Sequence, residues 1–182
     1  MNWKDIDQRQ IITILLCTIG TFLLSIIRVQ VDANTSAIGA VNAYASLQDA
    51  GIIVSVMALG SPWGIIASVV GIVIGDIVMG SKSFIIGNII IRSLMALFAL
   101  GFAAKVDDWK KSFAVAGLME GIMLALFLVY DFVIIREFAV VGITLLLQLA
   151  QAVVCTVIGA VVLRYMPVMQ PDKMLEIRRP AD

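Results

Sequence analysis

The chain has 182 residues, of which 61% are hydrophobic and only 14% charged, with a mean hydropathy of +1.03 and a formal net charge of zero. An apolar content well above the roughly 45 to 50% of soluble domains marks an integral membrane protein, so the expected surroundings are a lipid bilayer and no nucleic acid is expected as a partner. There is no histidine, which excludes histidine-based metal or nucleophilic chemistry, and no metal site is expected.

A transmembrane helix takes about 20 mostly apolar residues, and breaks in the hydropathy divide the chain into six apolar segments. They lie at about 10–28, 47–60, 63–79, 84–104, 112–134 and 139–165. The expected fold class is therefore an all-α membrane protein of six transmembrane helices, with residues 1–182 forming one integral membrane domain.

The first segment follows the start MNWKDIDQRQ, which is mixed in charge, and no A-x-A-like cleavage site follows it. It is read as a retained helix and not a signal peptide. Cys17, Thr21 and Ser25 recur along it every fourth residue, with Gly20 beside them. Such a strip of small side chains lets another backbone approach closely, within the bundle or from a partner. Cys17 and Cys155 each sit alone in an apolar run and suggest neither a disulfide nor a zinc site.

Residues 29–46, VQVDANTSAIGAVNAYAS, are too polar for a span and too long for a simple connection. Loops of that length often act as lids, and its Ala, Ile, Val and Tyr content argues for docking onto the bundle. The second and third segments are separated only by Gly60-Ser61-Pro62-Trp63-Gly64, a Gly/Pro turn signal. Gly71-x-x-x-Gly75 in the third and Gly117-x-x-x-Gly121 in the fifth repeat the small-residue theme.

Basic residues orient the bundle, because Lys and Arg accumulate on the cytoplasmic side. Lys4, Arg9, Lys105, Lys110, Lys111, Arg164, Lys173, Arg178 and Arg179 all fall on one side of a six-helix arrangement. Both termini are expected to be cytoplasmic.

Polar residues inside the segments are the candidate site. Asn88 and Arg92 are four apart and share a helix face. Gln148 comes to a similar depth on the sixth segment, with Gln151 a turn deeper, and Tyr130 and Asp131 close the fifth segment near the outer surface. A solute site needs a largely apolar wall with a few fixed polar groups, which Asn88, Arg92, Tyr130, Gln148 and Gln151 supply. The alternative is an internal ion pair of Arg92 with Glu120, the two glutamines serving as interhelical glue.

Residues 47–96, LQDAGIIVSVMALGSPWGIIASVVGIVIGDIVMGSKSFIIGNIIIRSLMA, resemble the S-components of energy-coupling factor (ECF) vitamin transporters. The corresponding positions are Asp49, Gly60 to Gly64, Asp76, Gly80 and Asn88 to Ser93. The departures are Ser61 before Pro62, Arg92 where Lys is common, and Cys17-x-x-x-Thr21-x-x-x-Ser25 in place of an Ala-x-x-x-Ala strip.

The resemblance implies a bacterial cytoplasmic-membrane binding subunit that captures a B vitamin or precursor from outside, beneath the loop between helices 1 and 2. The hydroxymethylpyrimidine or pyridoxine-type group is closest, with pantothenate or riboflavin next. It places Asp76 and Lys82 at the pocket rim, and Asn42 and Tyr44 of the loop over it. Cys17, Gly20, Thr21, Ser25 and Gly71 would contact a transmembrane coupling subunit, itself bound to two ATPase subunits. ATP and Mg would be held by those ATPases, and this chain would carry no cofactor and perform no bond-making chemistry. The alternative is a self-sufficient secondary transporter using Glu120 and Asp131.

Overall fold

The computed structural model describes residues 8–37, 39–60, 62–103 and 106–166. Within these residues, six helices run α1 Gln8–Ile26, α2 Gln48–Leu59, α3 Trp63–Val78, α4 Ile85–Ala103, α5 Trp109–Ile134 and α6 Phe138–Tyr165, with one 3-10 turn at Lys82–Phe84 leading into α4. Among the described residues, α1, α4 with its leading turn, α5 and α6 are long and apolar enough to cross a bilayer. The protein is thus mostly helical and membrane-embedded. At 1.5 Å per residue the 12 residues of α2 and 16 of α3 reach about 18 and 24 Å, short of a hydrocarbon core of about 30 Å.

The short helix is the centre of the bundle. α2 packs against α1, α3, α4 and α6, and Ile52, Ile53 and Val56 are completely buried there together with Gln48 and Asp49. Enclosed by other helices, α2 does not need to match the bilayer thickness. Its hairpin with α3 turns on Gly60, whose φ of 67° lies in the left-handed region, and closes tightly because a Cβ on Gly64 would stand 2.7 Å from Ser55 O and Val56 Cα.

The segment at 29–46, expected as a loop, has regular structure. Arg28–Thr35 (β1) and Gly39–Ser46 (β2) pair as an antiparallel hairpin, with Arg28 opposite Ser46 and Thr35 opposite Gly39, so the fold is not purely α. Burial differs between the strands and not between the faces: Val41, Ala43, Tyr44 and Ser46 of β2 are buried, while Val29 and Val31 of β1 are exposed, so β2 is the strand held against the bundle. The backbone polar groups that a loop would leave unpaired are satisfied across the ladder. The hairpin rests on α6 and touches α1.

Of the basic residues used for orientation, Lys4, Lys105, Lys173, Arg178 and Arg179 lie outside the described residues.

Candidate functional site

Two buried carboxylates organise the polar interior. Asp76, on α3, accepts from Tyr44 Oη at 2.8 Å and from Asn88 Nδ2 at 2.5 Å. It faces the Arg28 guanidinium at 3.6 Å, and Asn88 Nδ2 also donates to Tyr44 Oη at 2.7 Å. Arg28 further donates to Ser81 Oγ and Gly75 O, and lies 4.4 Å over the Tyr44 ring. The first residue of the hairpin is thereby tied to the C-terminal end of α3.

Asp49, in the first turn of α2, forms an ion pair with Arg92 of α4 and accepts from Gln151 Nε2 of α6 at 2.5 Å. Gln151 Oε1 in turn accepts from the Ser46 backbone N–H at 2.8 Å. Arg92 Nε donates to Asn88 Oδ1 at 3.2 Å, one helical turn away, and its guanidinium lies 4.9 Å from the centre of the Phe127 ring. Arg28, Asp76, Tyr44, Asn88, Arg92, Asp49, Gln151 and Ser46 therefore make one continuous chain of polar contacts. It joins both strands of the hairpin to α2, α3, α4 and α6.

A small, partly open space sits beside this chain. Asn88 and Arg92 line it from α4, Thr144, Gln148 and Gln151 from α6, and Tyr44 from the hairpin, while Phe84 and Phe127 form its apolar walls. Only about 10 Å³ is open to the centre of a water-sized sphere, room for about one water. Gln148 Nε2 donates to Asp131 Oδ2 at 3.3 Å, but its Oε1, buried at this wall, meets no donor. A polar group buried without a partner costs roughly 1 to 3 kcal/mol, and a donor brought into the space would remove that cost.

Asn88, Arg92, Gln148, Gln151 and Tyr44 are thus brought together. The other expected pocket residues are placed differently. Asp76 is completely buried, behind the cavity wall and not at a rim. Tyr130 does not line the space: its hydroxyl donates to Ser83 O at 2.7 Å and its ring covers Gly87, clamping α5 to the start of α4. Lys82 is exposed on the 3-10 turn. Asn42 is spent within the hairpin, donating to Asp32 Oδ1 at 2.8 Å across the strands. Together with Gln30, that bond holds the Asp32 carboxyl below its usual range. Arg92 pairs with Asp49, in place of the Glu120 pairing weighed from the sequence.

The small-residue strip is likewise used inside the chain. Thr21 and Ser25 are each 1% exposed. A Cβ on Gly71 would stand 2.5 Å from Thr18 O, one on Gly75 would overlap Ser25 Oγ, and one on Gly51 would stand 3.0 Å from Thr21 Oγ1. The strip is the seam of α1 with α2 and α3. Cys17 is half-buried, and Gly20 faces open space, with Leu16, Ile19 and Leu23 exposed around it.

Arg28, Phe84, Phe127 and Thr144 are site residues that sequence reasoning missed. Arg28 has a legible signal, an arginine directly after an apolar helix, but nothing in its spacing points to Asp76, which is 48 positions away. Phe84 and Phe127 read as ordinary lipid-facing or core aromatics.

Helices and the hairpin thus surround a small cavity, with room for about one water, lined by fixed polar groups. In comparisons with known proteins, no family model, no curated sequence and no solved structure matches this chain.

Proposed function

We propose that the chain is the substrate-binding membrane subunit of an ECF-type importer, taking a B vitamin or precursor from outside the bacterial cytoplasmic membrane. The observation that carries this reading is the cavity lined by Asn88, Arg92, Gln148 and Gln151 and covered by a hairpin whose Tyr44 enters the same network. The resemblance of residues 47–96 supplies the ECF assignment and the hydroxymethylpyrimidine or pyridoxine-type preference. With Arg92 already neutralised by Asp49, a carboxylate ligand such as pantothenate is the weaker candidate.

In this reading all six helices are membrane-embedded and both termini are cytoplasmic. A transmembrane coupling subunit docks on the open side of α1 around Gly20, and two ATPases bind ATP and Mg. Because the cavity has room for only about one water, the solute enters by displacement of the hairpin. A thermal-shift screen of the purified chain against B vitamins and their precursors tests this, since a ligand that binds only the folded state stabilises it by mass action. A rise with one compound that vanishes in Arg92→Ala supports the site, and no rise with any compound overturns it.

The buried carboxylates Glu120 and Asp131, each with an oxygen that meets no donor, favour one second reading, a proton-coupled secondary transporter. Solute uptake by vesicles containing this chain alone, driven by a pH gradient, would establish it.

A further inference from the structure

Close to Arg92, Glu120 of α5 is 2% exposed and neither of its oxygens meets a hydrogen-bond donor. Each element packed around it has a defined contribution. α2 presents Asp49, α4 presents Arg92, and α6 presents Cys155. Oxygens of Asp49 and Glu120 and the Cys155 sulfur all lie within 4.8 Å of one another. Two carboxylates therefore face each other around one arginine, whose ion pair is already made with Asp49. Gln48, fully buried beside Asp49 with both amide atoms unpartnered, is not bonded to either carboxylate.

Two ionised carboxylates so close, out of water, repel, and both are acceptors, so no hydrogen bond can form between them as they stand. One proton removes both problems. Carried on Glu120, it donates to Asp49 and leaves Arg92 and Asp49 as a neutral pair. We propose that Asp49 and Glu120 form a single-proton binding site, with Glu120 in the acid form while Asp49 holds Arg92 against the cavity. Loss of that proton to water leaves a second buried anion competing for the Arg92 guanidinium. Arg92 also holds Asn88, so the proton and the cavity share one arginine. The proton site itself does not rest on the identity of the solute.

The test uses the detergent-purified full chain without ligand, so that it stands apart from the solute reading. Thermal midpoints are measured between about pH 5 and about pH 9 for the native protein, Glu120→Gln, Asp49→Asn and the double variant. The native protein should lose stability as pH rises from the ordinary glutamate range, by about 3 °C per pH unit at the steepest, and level off once the folded state has released the proton. Glu120→Gln should lack that component and match or exceed the native midpoint at the alkaline end. Asp49→Asn should remain folded, because Glu120 can then ionise and pair with Arg92, whereas the double variant leaves Arg92 alone and should fall well below both single variants.

Equal pH profiles for the native protein and Glu120→Gln would overturn the proposal, as would a double variant no less stable than Asp49→Asn. A midpoint raised by Zn²⁺ or Mn²⁺ and returned by a chelator would also overturn it, assigning the cluster to a metal. Should the variants not fold, the infrared carbonyl band of a protonated carboxyl, followed in native protein with isotope-labelled glutamate, decides the same question. Its presence near neutral pH supports the site, and its absence refutes it.

Discussion

Gly71→Ala separates an internal seam from a docking face at a single methyl group. A Cβ at residue 71 would stand 2.5 Å from Thr18 O and 3.0 Å from Phe22 N, and real Cβ atoms essentially never come within 3.0 Å. The obstacles are backbone atoms of α1, so no side-chain rotation relieves them and the helices must part by at least about 0.5 Å. Overpacking of this kind costs about 1 to 3 kcal/mol, offset by up to about 1 kcal/mol from the better helix propensity of alanine. The net loss expected is about 1 to 2 kcal/mol, a fall in thermal midpoint of roughly 2 to 8 °C for a chain of this size. Gly121→Ala is the control: nothing lies within 4 Å of its added methyl, so it should be neutral or slightly stabilising. Thermal unfolding of the isolated chain in detergent is the assay. If Gly71→Ala were as stable as Gly121→Ala, and only assembly with a coupling subunit suffered, the strip would be an external contact face and the seam assignment would be wrong.

Other perturbations address the polar chain and the hairpin. Arg92→Ala should abolish solute stabilisation and also destabilise the chain by about 3 to 5 kcal/mol, because it strands Asp49 without its cation; a normal midpoint in thermal unfolding would contradict that pairing. Tyr44→Phe removes the hydroxyl shared by Asp76 and Asn88 and should cost about 1 to 3 kcal/mol, read as a lowered midpoint with the secondary structure unchanged. The hairpin tip is fastened by Ser36, whose backbone N–H and hydroxyl both donate to Glu137 Oε1, so Glu137→Ala should speed hydrogen exchange at the tip and leave α4 untouched. These two bonds hold the Glu137 carboxyl below its ordinary value of 4.5. The fastening is therefore complete above that value and is lost as pH falls through the lower folded value, so tip exchange, corrected for its intrinsic rate, should rise on acidification.

The sequence by itself determined that this is a helical membrane protein and where its apolar segments fall. Lipid demands long apolar runs with internally satisfied backbones, and that demand is written locally. It also singled out Asn88, Arg92, Gln148 and Gln151, because polar groups in such runs must turn inward. The hairpin escaped it, since residues 29–46 carry an alternation too short and too polar to stand out beside the helices. Nor does the sequence mark α2 as the centre of the bundle, because its 12 residues are about as apolar as those of the lipid-facing helices, although this helix is the most enclosed of the six.

Only the tertiary structure decided the pairings. Glu120 and Asp49 were both available to Arg92, and the packing of α2 between α4 and α6 gave Arg92 to Asp49 and left Glu120 facing that carboxylate. Likewise the four-residue spacing of Cys17, Thr21 and Ser25 defines a strip on α1 but not its occupant, and the bare backbones of Gly51, Gly71 and Gly75 fill it from within the chain. Spacing along a helix fixes which side chains share a face. What that face meets depends on residues tens of positions away, brought there by the fold.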